Sequence, residues 1–287
     1  TVTGASGQLG RLVIRHLLRQ IPANRVIAAT RHPERLADLA ALGVTVRPAD
    51  FTDPATLPEA FAGTSRLLII STDDLVSGTR PEQHRAAVEA AARVGVAHVA
   101  YTSFVGADPA GPPGLARDHG LTEAALIASG LAWTALRNNF YAEGLVQIVG
   151  RSFSGETLIL PEGEAETSWV TREDCARVAA AVLAGAGDLS GPIDVTGPEG
   201  LSFGAVAARL PGILGRAVPV RRVSAADYIA HLVATGLPEA AANGIGGFTA
   251  LCARQGYGAV SDAVERATGT PATPVDEPLR ALVGRAG

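Results

Sequence analysis

Residues Thr3 to Gly10 read Thr-Gly-Ala-Ser-Gly-Gln-Leu-Gly, which sets three glycines at intervals of three between a short apolar strand and a helix with one apolar face. Gly4 permits a tight turn, Gly7 lets backbone approach a pyrophosphate, and Gly10 lets the helix pack on the strand. The first helical amides then face the anion. Gly4, Ala5, Ser6, Gly7, Gln8 and Leu9 are therefore expected to cradle a dinucleotide. Arg31 follows Gly10 by 21 residues, at the end of a predicted second strand. An acidic side chain there would bind a ribose hydroxyl, whereas an arginine accommodates a 2′-phosphate, so the cofactor expected is NADPH. Other predicted strand ends line the same cleft. Asp50 and Phe51 are placed near the adenine and Ser71, Thr72 and Asp73 near the ribose. Tyr101, Thr102 and Ser103, with Asn138, Asn139, Phe140 and Tyr141, flank the nicotinamide and substrate.

What the chain lacks narrows the chemistry. Its 24 basic residues are all arginine, so there is no lysine. Short-chain dehydrogenases commonly lower a tyrosine pKa with a lysine four positions on, because an unactivated alcohol oxygen needs proton transfer. Here Tyr101 is followed at that spacing by Val105 and Tyr141 by Leu145. Alcohol dehydrogenases, sugar epimerases and lysine-dependent double-bond reductases are disfavoured, and a lysine-bearing P-loop is excluded. An electrophilic conjugated acceptor asks less, since the protein mainly holds a hydride donor against it. The proton then comes from solvent or from Tyr101, Tyr141 or His119. Cys175 and Cys252 are too few for a cysteine metal cluster or a disulfide framework, and Cys175 sits in a helical stretch as a buried thiol. No metal is expected, and the single glycine loop offers no separate flavin signature.

The elements that must position these residues follow from periodicity. Predicted strands over 25–30, 44–47, 66–71, 97–102 and 132–137 alternate with helices over 33–42, 81–94 and 115–128, which gives a Rossmann-type, doubly wound parallel sheet of the α/β class. Beyond residue 137 glycine and proline clusters near 155–163, 191–200, 211–219 and 244–247 predict a smaller mixed α/β substrate lobe over 138–287. Within it, 170–184 reads as a helix, and a strand near 193–196 is expected to return to the main sheet. The chain is 47% hydrophobic with a net charge of −4 and no basic run beyond Arg221-Arg222, which argues against a nucleic-acid partner. No apolar run approaches the roughly 20 residues a membrane span needs, and a reducing cytoplasm suits the cysteine content. With no methionine present, Thr1 reads as lying inside the first strand, a short segment preceding it.

These residues together resemble the atypical short-chain dehydrogenases of the NmrA-like group, most closely the bacterial NAD(P)H:quinone oxidoreductase 2 type, with triphenylmethane reductases nearly as similar. The resemblance is carried by residues 3–10, Thr30-Arg31-His32-Pro33, Val46 to Phe51, Ala100 to Ser103 and Leu136-Arg137-Asn138-Asn139-Phe140-Tyr141-Ala142-Glu143. Weaker matches run through residues 170–174 and 270–274. It implies that residues 4–9, Arg31, 71–73 and 137–141 hold the dinucleotide. It also implies a quinone site near Phe140, Tyr141 and the stretch from Ser168 to Thr171. Where close relatives carry Gly then Trp after the first asparagine, this chain has Asn139 then Phe140, a change in the substrate pocket more than in the cofactor site. Some NmrA-like proteins bind NADP(H) as redox sensors without turnover, and this is the alternative of a different class. The apolar helices also leave room for a homodimer face.

Overall fold

The computed structural model describes residues 1–74, 77–185 and 189–285. Its elements begin with α1 (Gln8–Leu17), β1 (Ile27–Thr30), α2 (Ala37–Ala41), β2 (Thr45–Pro48), α3 (Leu57–Phe61) and β3 (Arg66–Ile69). They continue through α4 (Arg80–Arg93), β4 (His98–Phe104), α5 (Leu115–Ser129), β5 (Ala132–Asn138), α6 (Ala142–Arg151), β6 (Phe153–Ser154) and β7 (Thr157–Pro161). The remainder comprises α7 (Arg172–Ala184), β8 (Gly191–Val195), α8 (Phe203–Leu214), β9 (Val220–Val223), α9 (Ala225–Ala234), α10 (Glu239–Arg254), α11 (Ala263–Thr268) and α12 (Asp276–Leu279).

Two compact units share the chain. The first takes residues 1–138, 172–195 and 263–271. In it β1 pairs with β2, and β3, β4, β5 and β8 pair in that order, every pair parallel. Val2 bridges Ala28 of β1 on one side and Leu68 of β3 on the other, joining the two sets. The expected first strand is thus reduced to this bridge, because Gly4 turns the chain away two residues later. Leu67, Leu68 and Ile69 of β3 are fully buried, as expected for a strand covered on both faces. Leu9, Val13, Ile14 and Leu17 turn one face of α1 inward. The fold is the Rossmann-like α/β class that the alternation predicts, and Gly191–Val195 is a strand of the main sheet, paired with β5.

The second unit takes residues 139–171, 196–262 and 272–287. Its three strands run in the order β6, β7, β9, with β6 antiparallel and β9 parallel to β7. Trp169, Leu158, Leu160, Phe203, Leu210 and Leu279 lie in its core. Two stretches that composition marks as irregular are helical here. Pro211 falls inside α8, and Gly244 to Gly247 fall inside α10. At Gly246 the reason is packing, since a Cβ would stand 2.4 Å from Cγ1 of Ile229 on α9. Close approach of two helices outweighs the low helix propensity of glycine.

Candidate functional site

The glycine loop works through the side chains it omits. Gly4 has φ +57°, in the left-handed region that glycine tolerates, and the Gly7 amide donates to its carbonyl at 2.9 Å. A Cβ on Gly10 would lie 2.4 Å from the Gly4 oxygen and 2.8 Å from the Ala5 Cα, so any side chain there would force loop and helix apart. Helix α1 opens on Gly7 with no side-chain cap and no acidic residue in its first turn. Its first amides are thereby left to an anion from outside. Gly4, Gly7 and Gln8 are exposed, whereas Ala5 and Leu9 point into the core. Ser6 and Thr30 share a 2.8 Å hydroxyl contact that ties the loop to the end of β1.

Arg31 directly follows β1. Its side chain is 57% exposed, and its guanidinium lies 3.9 Å from the Asp73 carboxylate. Asp50 follows β2, and its carboxylate is occupied by the amide and hydroxyl of Thr52 at 2.9 and 2.8 Å. The Phe51 ring packs in the core edge-on to His84. Arg137 forms a two-pronged pair with the buried Glu123, at 2.9 and 2.6 Å, and this pairing holds its pKa above the ordinary arginine value. Ser103 donates to the same carboxylate at 2.6 Å. Asn138, at the end of β5, is buried and its amide oxygen has no hydrogen-bond partner.

Ser71, Thr72 and Asp73 form a turn just past β3. Three successive amides in this segment are taken by side chains. Ile70 donates to Thr3 Oγ1 at 2.9 Å, Ser71 to Thr102 Oγ1 at 2.8 Å, and Thr72 to His84 Nε2 at 2.9 Å. Behind them lie Tyr101 and His119, the expected proton donors. Tyr101 is 0% and His119 4% exposed, and Tyr101 Oη meets His119 Nδ1 at 2.7 Å. Burial pushes the phenol pKa well above its ordinary value and the His119 imidazole well below. Burial, with the Arg80 charge, lowers His84 to about 3. Both rings are neutral at working pH. Sequence reasoning did not single out His84 or Arg80, and an arginine and a histidine four apart on a helix carry no distinctive pattern.

In the second unit, residues 139–142 run beside 168–170, with a parallel bridge between Tyr141 and Val170. Asn139 Nδ2 donates to Ser168 Oγ and to the Tyr257 carbonyl, each at 2.7 Å, and Ser168 donates to the Ala259 carbonyl at 2.7 Å. Asn139, Ser168 and Thr171 are buried. The first two act as a staple for the 257–259 segment. Phe140 and Tyr141 remain half-buried. Phe140 stands edge-on to Phe248 and Tyr257, at ring separations of 4.6 and 5.1 Å. These two aromatics also went unnoticed in the sequence, because they lie more than a hundred residues downstream among the glycines of α10 and the loop after it. Cys175 and Cys252 are both buried thiols, and burial pushes the Cys252 pKa up to about 12. Among the described residues no cluster of three or more His, Cys, Asp or Glu could hold a metal, and no helix is long and apolar enough to cross a membrane.

Comparison with known proteins identifies relatives along nearly the whole chain. Quinone oxidoreductase 2 of Escherichia coli is 34% identical over 281 residues, covering 98% of this chain and 97% of that protein. The crystal structure of the NADPH-dependent quinone oxidoreductase of E. coli, complexed with NADPH, superposes with a TM-score of 0.88 over 98% of both chains. Citrobacter triphenylmethane reductase, 32% identical, superposes at 0.89 over 99% of this chain and 98% of that one. An NAD(P)H azoreductase of Xenophilus azovorans is 28% identical over 94% of this chain and 93% of its own length. Residues 4–185 match the NAD(P)H-binding family. The chain belongs to that family and is an NAD(P)H oxidoreductase related to the quinone oxidoreductases.

Proposed function

We propose that the protein transfers a hydride from NADPH directly to a quinone or a similarly flat, electron-poor conjugated acceptor. The observation that carries the cofactor choice is Arg31, half-exposed at the end of β1 where an acidic residue would select NADH. The cradle fits the rest of the dinucleotide. Gly10 carries no Cβ that would strike the Gly4 carbonyl and push the loop off the helix, and the open amides of α1 suit a pyrophosphate. The unpartnered amide oxygen of Asn138 is an acceptor suited to a carboxamide donor.

When bound, the reduced nicotinamide supplies the hydride. The protein contributes binding, orientation and exclusion of water, with Phe140 and Tyr141 the residues proposed to meet the acceptor. Reduction takes up one hydride and one proton per quinone, and the hydroquinone anion is stable enough to draw its proton from solvent. No lysine is required for that step, which matches a chain that has none.

The reading is tested by mixing the protein with NADPH and a panel of benzoquinones, naphthoquinones and a triphenylmethane dye, following loss of reduced-nicotinamide absorbance. Consumption with the quinones supports it. Tight NADPH binding without consumption across the panel overturns it in favour of a sensor, and turnover with the dye alone moves the acceptor class.

A further inference from the structure

Beneath the Ser71–Asp73 turn, four buried side chains form a closed hydrogen-bond network. Arg80 and His84 come from α4, Tyr101 from β4 and His119 from α5, and none is more than 4% exposed. Strand β3 pairs with β4 as far as Ile69 opposite Tyr101, so the amides beyond that point have no ladder partner. The network supplies one for Thr72. Its amide donates to His84 Nε2 at 2.9 Å, and its carbonyl accepts from Arg80 Nε at 3.0 Å.

Obligatory donors fix the direction of every bond. The Thr72 amide can only donate, so His84 Nε2 is unprotonated and the ring proton sits on Nδ1. Arg80 likewise donates to His119 Nε2 at 3.0 Å, which places that ring's proton on Nδ1 as well. The His119 Nδ1 proton points at the Tyr101 oxygen at 2.7 Å, and the His84 Nδ1 proton lies between Thr122 Oγ1 at 3.0 Å and the Tyr101 oxygen at 3.2 Å. The Tyr101 hydroxyl is bonded to Thr122, whose own hydroxyl donates to the Asp118 carbonyl at 3.0 Å. The string ends on a backbone acceptor with no exit to an acceptor molecule. Arg80 Nη1 has no hydrogen bond, and the Asp118 carboxylate is 3.8 Å away. A buried guanidinium with one nitrogen left without a hydrogen bond costs stability.

We propose that Arg80, His84 and His119, organised around the Tyr101 hydroxyl, are positioning residues that set the Ser71–Asp73 turn for the bound cofactor, and that Tyr101 exchanges no proton with the acceptor. The inference rests on the reading that this turn borders the cofactor ribose. Thr3 and Thr102 hold the two preceding amides, so the turn is fixed from Ile70 to Thr72 by four side chains from three segments, the N-terminal stretch, β4 and α4. A neutral network of this kind keeps the turn in one shape across the working pH range.

The test is an NADPH fluorescence titration of the full chain, with kcat and KM measured beside it. His84→Leu orphans the Thr72 amide and is expected to weaken NADPH about tenfold, the usual scale for a buried donor left unpaired, while the quinone KM holds. His84→Gln keeps an acceptor near the Nε2 position and should recover most of that loss. Tyr101→Phe removes one oxygen and no packing; it should raise the NADPH KM a few-fold and leave the shape of the kcat pH profile unchanged. Should His84→Leu fail to fold, Tyr101→Phe carries the test. Ser71→Trp controls for the underlying reading by crowding the turn itself. If Ser71→Trp loses NADPH while His84→Leu and Tyr101→Phe bind as the unaltered chain does, the inference is overturned and the reading stands. If Ser71→Trp binds normally, the reading falls and the inference with it. Loss of turnover in Tyr101→Phe at unchanged NADPH affinity would make the phenol a proton donor and overturn the proposal.

Discussion

The glycine loop and the turn after β3 lie in the same unit and are built on opposite principles. The loop is shaped by missing side chains, with Gly10 so close to Gly4 that a single Cβ would collide with backbone. The turn is shaped by an excess of them, with Thr3, Thr102, His84 and Arg80 each holding a backbone group. One surface presents amides to a ligand; the other has its amides consumed from behind. Open backbone can recruit a ligand, whereas backbone whose polar groups are already satisfied only holds shape.

Substitutions should separate the two sharply. Gly10→Val places side-chain atoms against the Gly4 carbonyl, where backbone must give way, an overpacking cost of about 3 kcal/mol. NADPH affinity should fall by about 100-fold or more on that scale, and a titration showing near-normal binding would break the account of the loop. On the other side, the network should reveal itself in the pH dependence of stability. His84 has a pKa near 3 when folded against 6.5 for the free group. The unfolded chain therefore binds the extra proton first. The stability this neutral ring contributes is complete above pH 6.5 and is lost as pH falls toward 3. Melting temperature should drop through that window, and less steeply in His84→Gln; equal slopes would remove His84 as a source. The smallest effect belongs to Cys175→Ser, a buried thiol on α7 that stands outside both regions. It should lower the melting temperature by a few degrees without altering either substrate's KM, and a changed KM would show that the site extends further than drawn.

The same contrast explains what the sequence disclosed. A loop made by spacing alone is local, so Gly4, Gly7 and Gly10 announced themselves, as did the strand periodicity that builds the sheet. The strand ends were also legible, although position did not reveal what their side chains touch. Arg137 faces Glu123, and Phe51 turns into the core. The network draws on positions 80, 84, 101 and 119, which are brought together by the βα alternation and share no local pattern. In the second unit the Phe140, Phe248 and Tyr257 rings meet across a still longer gap in sequence. Gly246 misled for a physical reason, since composition marks a break where tight packing against Ile229 demands a glycine within a helix.

Arg31, directly after β1, is the residue proposed to select NADPH for hydride transfer. Dissociation constants for NADPH and NADH, measured on the unaltered chain and on Arg31→Ala, test it most directly. A charge-assisted contact to the 2′-phosphate is worth roughly 1.5–3 kcal/mol, so the variant should bind NADPH about 10- to 100-fold more weakly while NADH changes little. An equal loss for both cofactors, or none for either, would contradict the claim.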